Sequence, residues 1–127
     1  MSRNDRFRAL RQAELASRLA PENGSVLATV GVAQFRVGQF EAAVMTITKS
    51  SELNAKQRGL PYPSELAFMA MAQHQLGQHD AARATLARAR DLMQKPPFKG
   101  NAFLESYLRE AEALIEPTKD NGKKEST

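Results

Sequence analysis

The chain has no cysteine. Without thiols there is neither a disulfide framework nor a thiolate metal site, and a reducing compartment is the expected setting. Period-two alternation is almost absent and β-branched residues are few, so strands are not expected. No apolar run approaches the roughly 18 residues that would span a bilayer. The N-terminal MSRNDRFRALRQ is charged and lacks the apolar stretch of a secretory signal. These absences point away from secreted and membrane-spanning classes and towards a cytoplasmic protein.

Catalytic signatures are missing as well. There is no glycine-rich phosphate loop, no His-Arg-Asp segment, no Asp-Phe-Gly and no Gly-x-Ser-x-Gly. His74 and His79 are the only histidines, and with Asp80 alone beside them they fall short of a structural zinc set. Paired acids such as Glu110 with Glu112, or Glu14 with Glu22, have no apolar pocket that would raise a pKa. The expectation is a non-enzymatic chain with no catalytic residue, no metal and no cofactor.

Net charge is +4 over 127 residues, enough chain for one domain with a real core. The arginines (Arg3, Arg6, Arg8, Arg11, Arg18, Arg83, Arg88, Arg90) are spread through helical pattern, as solvated helix faces would have them. Nucleic acid is a disfavoured partner on this count, and a basic nucleic-acid-binding helical repeat stands as an alternative reading.

What the sequence does have is helical periodicity, clearly punctuated. Residues 5–20 place Phe7, Leu10, Ala13, Ala16 and Leu19–Ala20 at spacings of three and four, and Pro21 with Asn23–Gly24 ends the run. A second helix is predicted from a cap at Ser25 to Val37, and a third from Glu41 to Leu53. Asn54–Pro63 (NAKQRGLPYP) reads as a loop because Gly59, Pro61 and Pro63 cannot share a helix. Ser64 is expected to cap a fourth helix to Leu76; a fifth covers Asp80 to Gln94, and a sixth, capped by Asn101, ends near Ile115. Residues 117–127 read as a disordered tail. The prediction is an all-α fold of about six helices in one domain.

Two stretches repeat. RVGQFEAAVMTI begins at position 36 and QLGQHDAARATL at 75, which sets Gly38 and Gly77 39 residues apart. Each glycine is expected to take the left-handed conformation that follows a helix C-terminus. Two antiparallel helices joined by so short a turn approach closely, and closeness requires small side chains at the crossing. Gly31 with Ala43, and Ala70 with Ala82, are suited to that contact. Leu27, Val30, Val44 and Ile47 are expected to interdigitate around the first pair, and Leu66, Met69, Leu76 and Leu86 around the second.

This duplicated pattern resembles the tetratricopeptide repeat, a helical hairpin of about 34 residues that stacks into a superhelix. The likeness covers residues 24–94, with repeats over 24–54 and 63–94, a half-repeat helix over 5–20 and a capping helix over 101–116. The family's tryptophan positions are Leu27 and Leu66, its later tyrosine positions Gln34 and Gln73, and His79 replaces the aromatic after the turn. The spacing is about five residues longer than the family's, and the surplus is expected in the NAKQRGLPYP loop. The two copies also resemble the repeat tail of large bacterial Ser/Thr kinase-type signalling proteins, although nothing of a kinase is present.

The resemblance implies a concave face that receives a peptide or helix. Its lining positions fall on Ala28, Thr29, Val32, Phe35 and Arg36 in the first repeat, and on Ala67, Phe68, Met71, His74 and Gln75 in the second. The basic clamp by which one subset of the family grips a carboxylate terminus is missing, because Ala28, Val32, Phe68 and Met71 occupy its places. What remains is an apolar strip with Arg36, His74 and Gln75 at its edge, suited to an amphipathic helix of a partner protein. The alternatives are that a terminal helix or a second copy of the chain covers the strip, giving a cap or self-association module of a larger signalling protein.

Overall fold

The computed structural model of the chain describes residues 2–117, so positions 118–127 of the expected tail lie outside the described residues. Six helices run in order: α1 (Arg3–Leu19), α2 (Gly24–Arg36), α3 (Phe40–Arg58), α4 (Pro63–Gln75), α5 (His79–Met93) and α6 (Ala102–Ile115). There is no strand among the described residues. The chain is all-helical, as its periodicity predicts.

The helix ends follow from local chemistry. The α1 start is a reciprocal cap, in which the Ser2 hydroxyl accepts from the Asp5 N–H and Asp5 accepts from the Ser2 N–H. Asn23, not Ser25, caps α2 through its side-chain oxygen at 3.0 Å from the Val26 N–H. Tyr62, not Ser64, precedes α4, whose first residue is Pro63, a position where a missing N–H costs nothing. The Asn101 cap of α6 stands as predicted, accepting from the Leu104 N–H at 3.1 Å.

The two glycine turns match. Gly38 and Gly77 have φ of 87° and 81°. The Gly38 N–H donates to Phe35 O at 3.0 Å and Gln39 to Gln34 O at 2.9 Å; Gly77 donates to His74 O at 3.0 Å and Gln78 to Gln73 O at 2.9 Å. Both therefore close their helices with the same paired bonds, one to the carbonyl three residues back and one to the carbonyl five residues back.

The predicted long loop is corrected. Asn54–Arg58 belong to α3, and the connection is only Gly59–Tyr62. These five residues lack Gly and Pro, so nothing in them breaks the helix, and Gly59, at φ 91°, does. Asn54 is buried and fixes the extra turn by donating to Glu65 Oε2 at 2.8 Å. The surplus spacing of the first copy is thus helix, not loop.

α2 packs along α3 and α4 along α5; α3 also meets α4, α1 meets α2, and α6 lies against α4 and α5. Ala43, Ile47, Ala70, Ala82 and Leu86 are fully buried in one main core that runs from α3 to α6. A methyl group built on Gly31 would overlap Ile47 Cγ1 and stand 3.2 Å from its Cδ1, so α2 and α3 do cross in close contact at this glycine. Val30 departs from its expected place: it joins Leu10 and Ala13 of α1 in a separate small cluster, flanked by Ala33 and Val37. Facing α1 and not α3, it helps to hold the first helix on.

Candidate functional site

The ten lining positions divide into two groups. Ala67, Phe68 and Met71 are interior, at 0%, 1% and 1% exposure. Ala28, Val32, Phe35 and His74 are half-buried, whereas Thr29, Arg36 and Gln75 are exposed.

Phe35, Arg36 and Phe68 do come together, in a cluster that α6 completes. The Phe35 ring lies 5.6 Å from Phe40 and 5.6 Å from Phe68, and Phe68 lies 5.3 Å from Tyr107 of α6. This aromatic chain links α3, α2, α4 and α6 with tilted or edge-on contacts, the arrangement ring quadrupoles favour. The Arg36 guanidinium sits 5.0 Å from the Phe68 centroid and forms a two-pronged pair with Glu110 at 2.5 and 3.0 Å. The Glu110 hydrogen bond raises the Arg36 pKa above its ordinary value, against a smaller opposing effect of burial.

A second arginine fastens the other side of α6. Arg90 of α5 donates to Glu112 at 2.8 Å and to Glu116 at 2.5 Å. The strip on α4 is therefore covered by the chain's own last helix, whose Leu104, Tyr107, Leu108 and Leu114 pack on the core with Ala111 and Ile115. Its acids Glu110, Glu112 and Glu116 meet arginines on either side. Tyr107 and Glu110 were not among the sequence-derived positions, and the amphipathic pattern of residues 102–116 is the signal that identifies them.

The open part lies between α1 and α2. A depression of about 270 Å3 is lined by Arg6, Ala9, Thr29, Val32, Ala33 and Arg36. It adjoins a second one formed by Arg3, Arg6, Phe7, Arg36 and Val37. The floor is apolar, three arginines stand at the rim, and neither lining includes an acidic residue. Thr29, Val32 and Arg36 come from the predicted strip. The α1 contributions had no signal beyond a helical run of arginines.

Comparison with family models, with curated proteins and with solved structures gives no match. The reading of this face rests on its own geometry.

Two further clusters bear on chemistry. His74 and His79 place their Nδ1 atoms 3.2 Å apart across the Gly77 turn, within hydrogen-bond distance of each other. Among the described residues no group of three or more His, Cys, Asp or Glu side chains is arranged to hold a metal ion. Between α3 and α4, Glu65 is 3% exposed and accepts from Ser50 and Asn54, each at 2.8 Å, and from the Tyr62 N–H at 2.7 Å. Burial raises its pKa, opposed by the Ser50 and Asn54 hydrogen bonds and by the charge of Arg58. This carboxyl joins the two helix pairs and opens onto no cleft named above. No described helix is long and apolar enough to cross a membrane.

Proposed function

We propose that the chain is a non-enzymatic, cytoplasmic protein-recognition scaffold built of two tetratricopeptide-like hairpins, with α1 as a half-repeat and α6 as a closing helix. Three things support the hairpin reading: the matched glycine turns, the close crossing at Gly31, and the contact of each pair's second helix with the first helix of the next. The observation that carries the function is the α1–α2 cleft, with an apolar floor of Ala9, Val32 and Ala33 that no helix of the described chain fills. A peptide or helix of a partner buries that floor, and the arginines at the rim set its register more than its affinity.

The test is photo-crosslinking from position 29, in the cleft, beside position 48, exposed on α3. The scaffold reading expects a discrete protein adduct from 29 and none from 48, in an extract of the source cells. Equal labelling from both, or none from either, contradicts it.

A second reading has its own observation. Leu15 and Leu19, one turn apart on α1, are 57% and 89% exposed. Such a pair suits a further helix or a second copy of the chain, as in a self-association or cap module of a larger signalling protein. Sedimentation or light scattering over a range of concentrations decides it.

A further inference from the structure

We infer that the occupant of the α1–α2 cleft is an acidic amphipathic helix of a partner protein, held by apolar contact with Ala9, Val32 and Ala33 and by carboxylates on Arg3 and Arg6. This inference rests on the scaffold reading above and names the ligand chemistry that the reading leaves open.

The first support is charge. α1 carries five arginines against Asp5 and Glu14. Asp5 is turned to its own helix, where it serves the Ser2 cap and lies 4.0 Å from Arg8. Arg3 lies 5.7 Å from the Phe7 ring centroid, and neither Arg3 nor Arg6 has a carboxylate partner among the described residues. The two arginines that border the covered part of the face, Arg36 and Arg90, each have at least one. Arg36 lines both parts and has Glu110, so what sets the open part apart is its other two rim arginines, Arg3 and Arg6, which lack an acid among the described residues.

The second support is the helix already seated on this face. Residues 102–116 carry four glutamates against one arginine. α6 lays Leu104, Tyr107, Leu108, Ala111 and Ile115 on the core and turns Glu110, Glu112 and Glu116 to flanking arginines. It displays the chemistry that an apolar floor between arginines accepts. The α1–α2 cleft repeats that combination in the next position along the face. Nucleic acid fits it less well, because the floor offers aliphatic side chains and not a row of aromatic rings for base stacking.

The experiment titrates the full chain into a fluorescein-labelled, end-blocked peptide of residues 102–116 and reads anisotropy. A second peptide replaces its four glutamates with glutamine. The inference predicts saturable binding of the acidic peptide and about tenfold weaker binding of the glutamine peptide. The variant Arg3→Ala/Arg6→Ala, both sites exposed and checked for unchanged helicity, should lose a similar factor. Arg90→Ala, which touches only the α5–α6 contact, should leave the affinity within about twofold.

Equal binding of the two peptides overturns the acidic requirement while leaving the scaffold reading intact. No binding of the acidic peptide overturns the inference, and the crosslinking experiment still decides the scaffold reading. Binding that strengthens in Arg90→Ala and ignores Arg3→Ala/Arg6→Ala means that the peptide replaces α6, which also overturns it. So does displacement of the acidic peptide by a single-stranded oligonucleotide more strongly than by unlabelled peptide.

Discussion

Gly31 of α2 lies so close to Ile47 of α3 that a methyl group at position 31 would overlap Ile47 Cγ1. In the second pair, Ala70 and Leu86 occupy the equivalent places, both fully buried. The two pairs divide volume differently, a bare backbone with a β-branched side chain in one and a methyl group with a γ-branched chain in the other. Gly31→Ala gains about 1 kcal/mol of helix propensity but meets an overlap that typically costs about 1–3 kcal/mol. The expected outcome in urea denaturation is a net loss of stability. Adding Ile47→Leu, which copies the second pair, should restore part of it; a Gly31→Ala variant more stable than wild type would contradict the crossing.

Phe68 and Thr29 occupy equivalent places in the two repeats and meet opposite fates, one 1% exposed and the other on the surface. Phe68→Glu should unfold the chain, because an unpaired buried charge costs several kcal/mol against a total stability of about 5–15 kcal/mol. Thr29→Glu should keep the wild-type circular dichroism spectrum and melting temperature within a few degrees. A folded Phe68→Glu protein would show that α6 does not close this part of the face.

Glu65 gives a pH dependence of definite sign. Its folded pKa is raised by burial, so the folded state binds the proton more tightly than the unfolded chain does. The stabilisation this group supplies is complete below the ordinary carboxylate value and is lost as pH rises from there through the raised folded value. Wild type should therefore lose stability relative to Glu65→Gln across that interval, read as the difference in urea midpoints against pH; a difference that rises with pH would contradict the assignment.

The arginine pairs hold α6 locally. Both are more than a third exposed on each partner, so each contributes no more than about 1 kcal/mol. Arg90→Ala, which leaves Glu112 and Glu116 without their common partner, should hardly move the melting temperature. It should instead speed amide hydrogen exchange in 102–115 while α2 to α4 keep their protection. Uniform acceleration over the whole chain would mean that α6 is not a separately opening unit.

Much of the fold was legible because the signals were local. The glycine turns and the Asn101 cap each depend on a few adjacent residues, and the periodic runs located all six helices. The extension of α3 is hidden because Gly59, Pro61 and Pro63 mark a break without locating where it begins among the five helix-compatible residues before them. What fixes that turn is Asn54 bonded to Glu65, a contact between helices that no local pattern displays. Which of the expected lining positions are buried and which exposed is not written in any local pattern. Burial of Phe68 depends on Tyr107 approaching from 39 residues away, and the cleft depends on where α1 docks, set by Leu10 and Ala13 against Val30.

The central claim is that recognition occurs between α1 and α2 while the α4 part of the face stays closed by α6. The most direct measurement is a backbone amide NMR titration of the full chain with the acidic peptide of residues 102–116. The account predicts shift changes centred on Arg6, Ala9, Thr29, Val32 and Arg36, with Phe68 and Met71 unmoved. Shifts centred on Phe68, Met71 and α6, with the α1–α2 cleft silent, would contradict it.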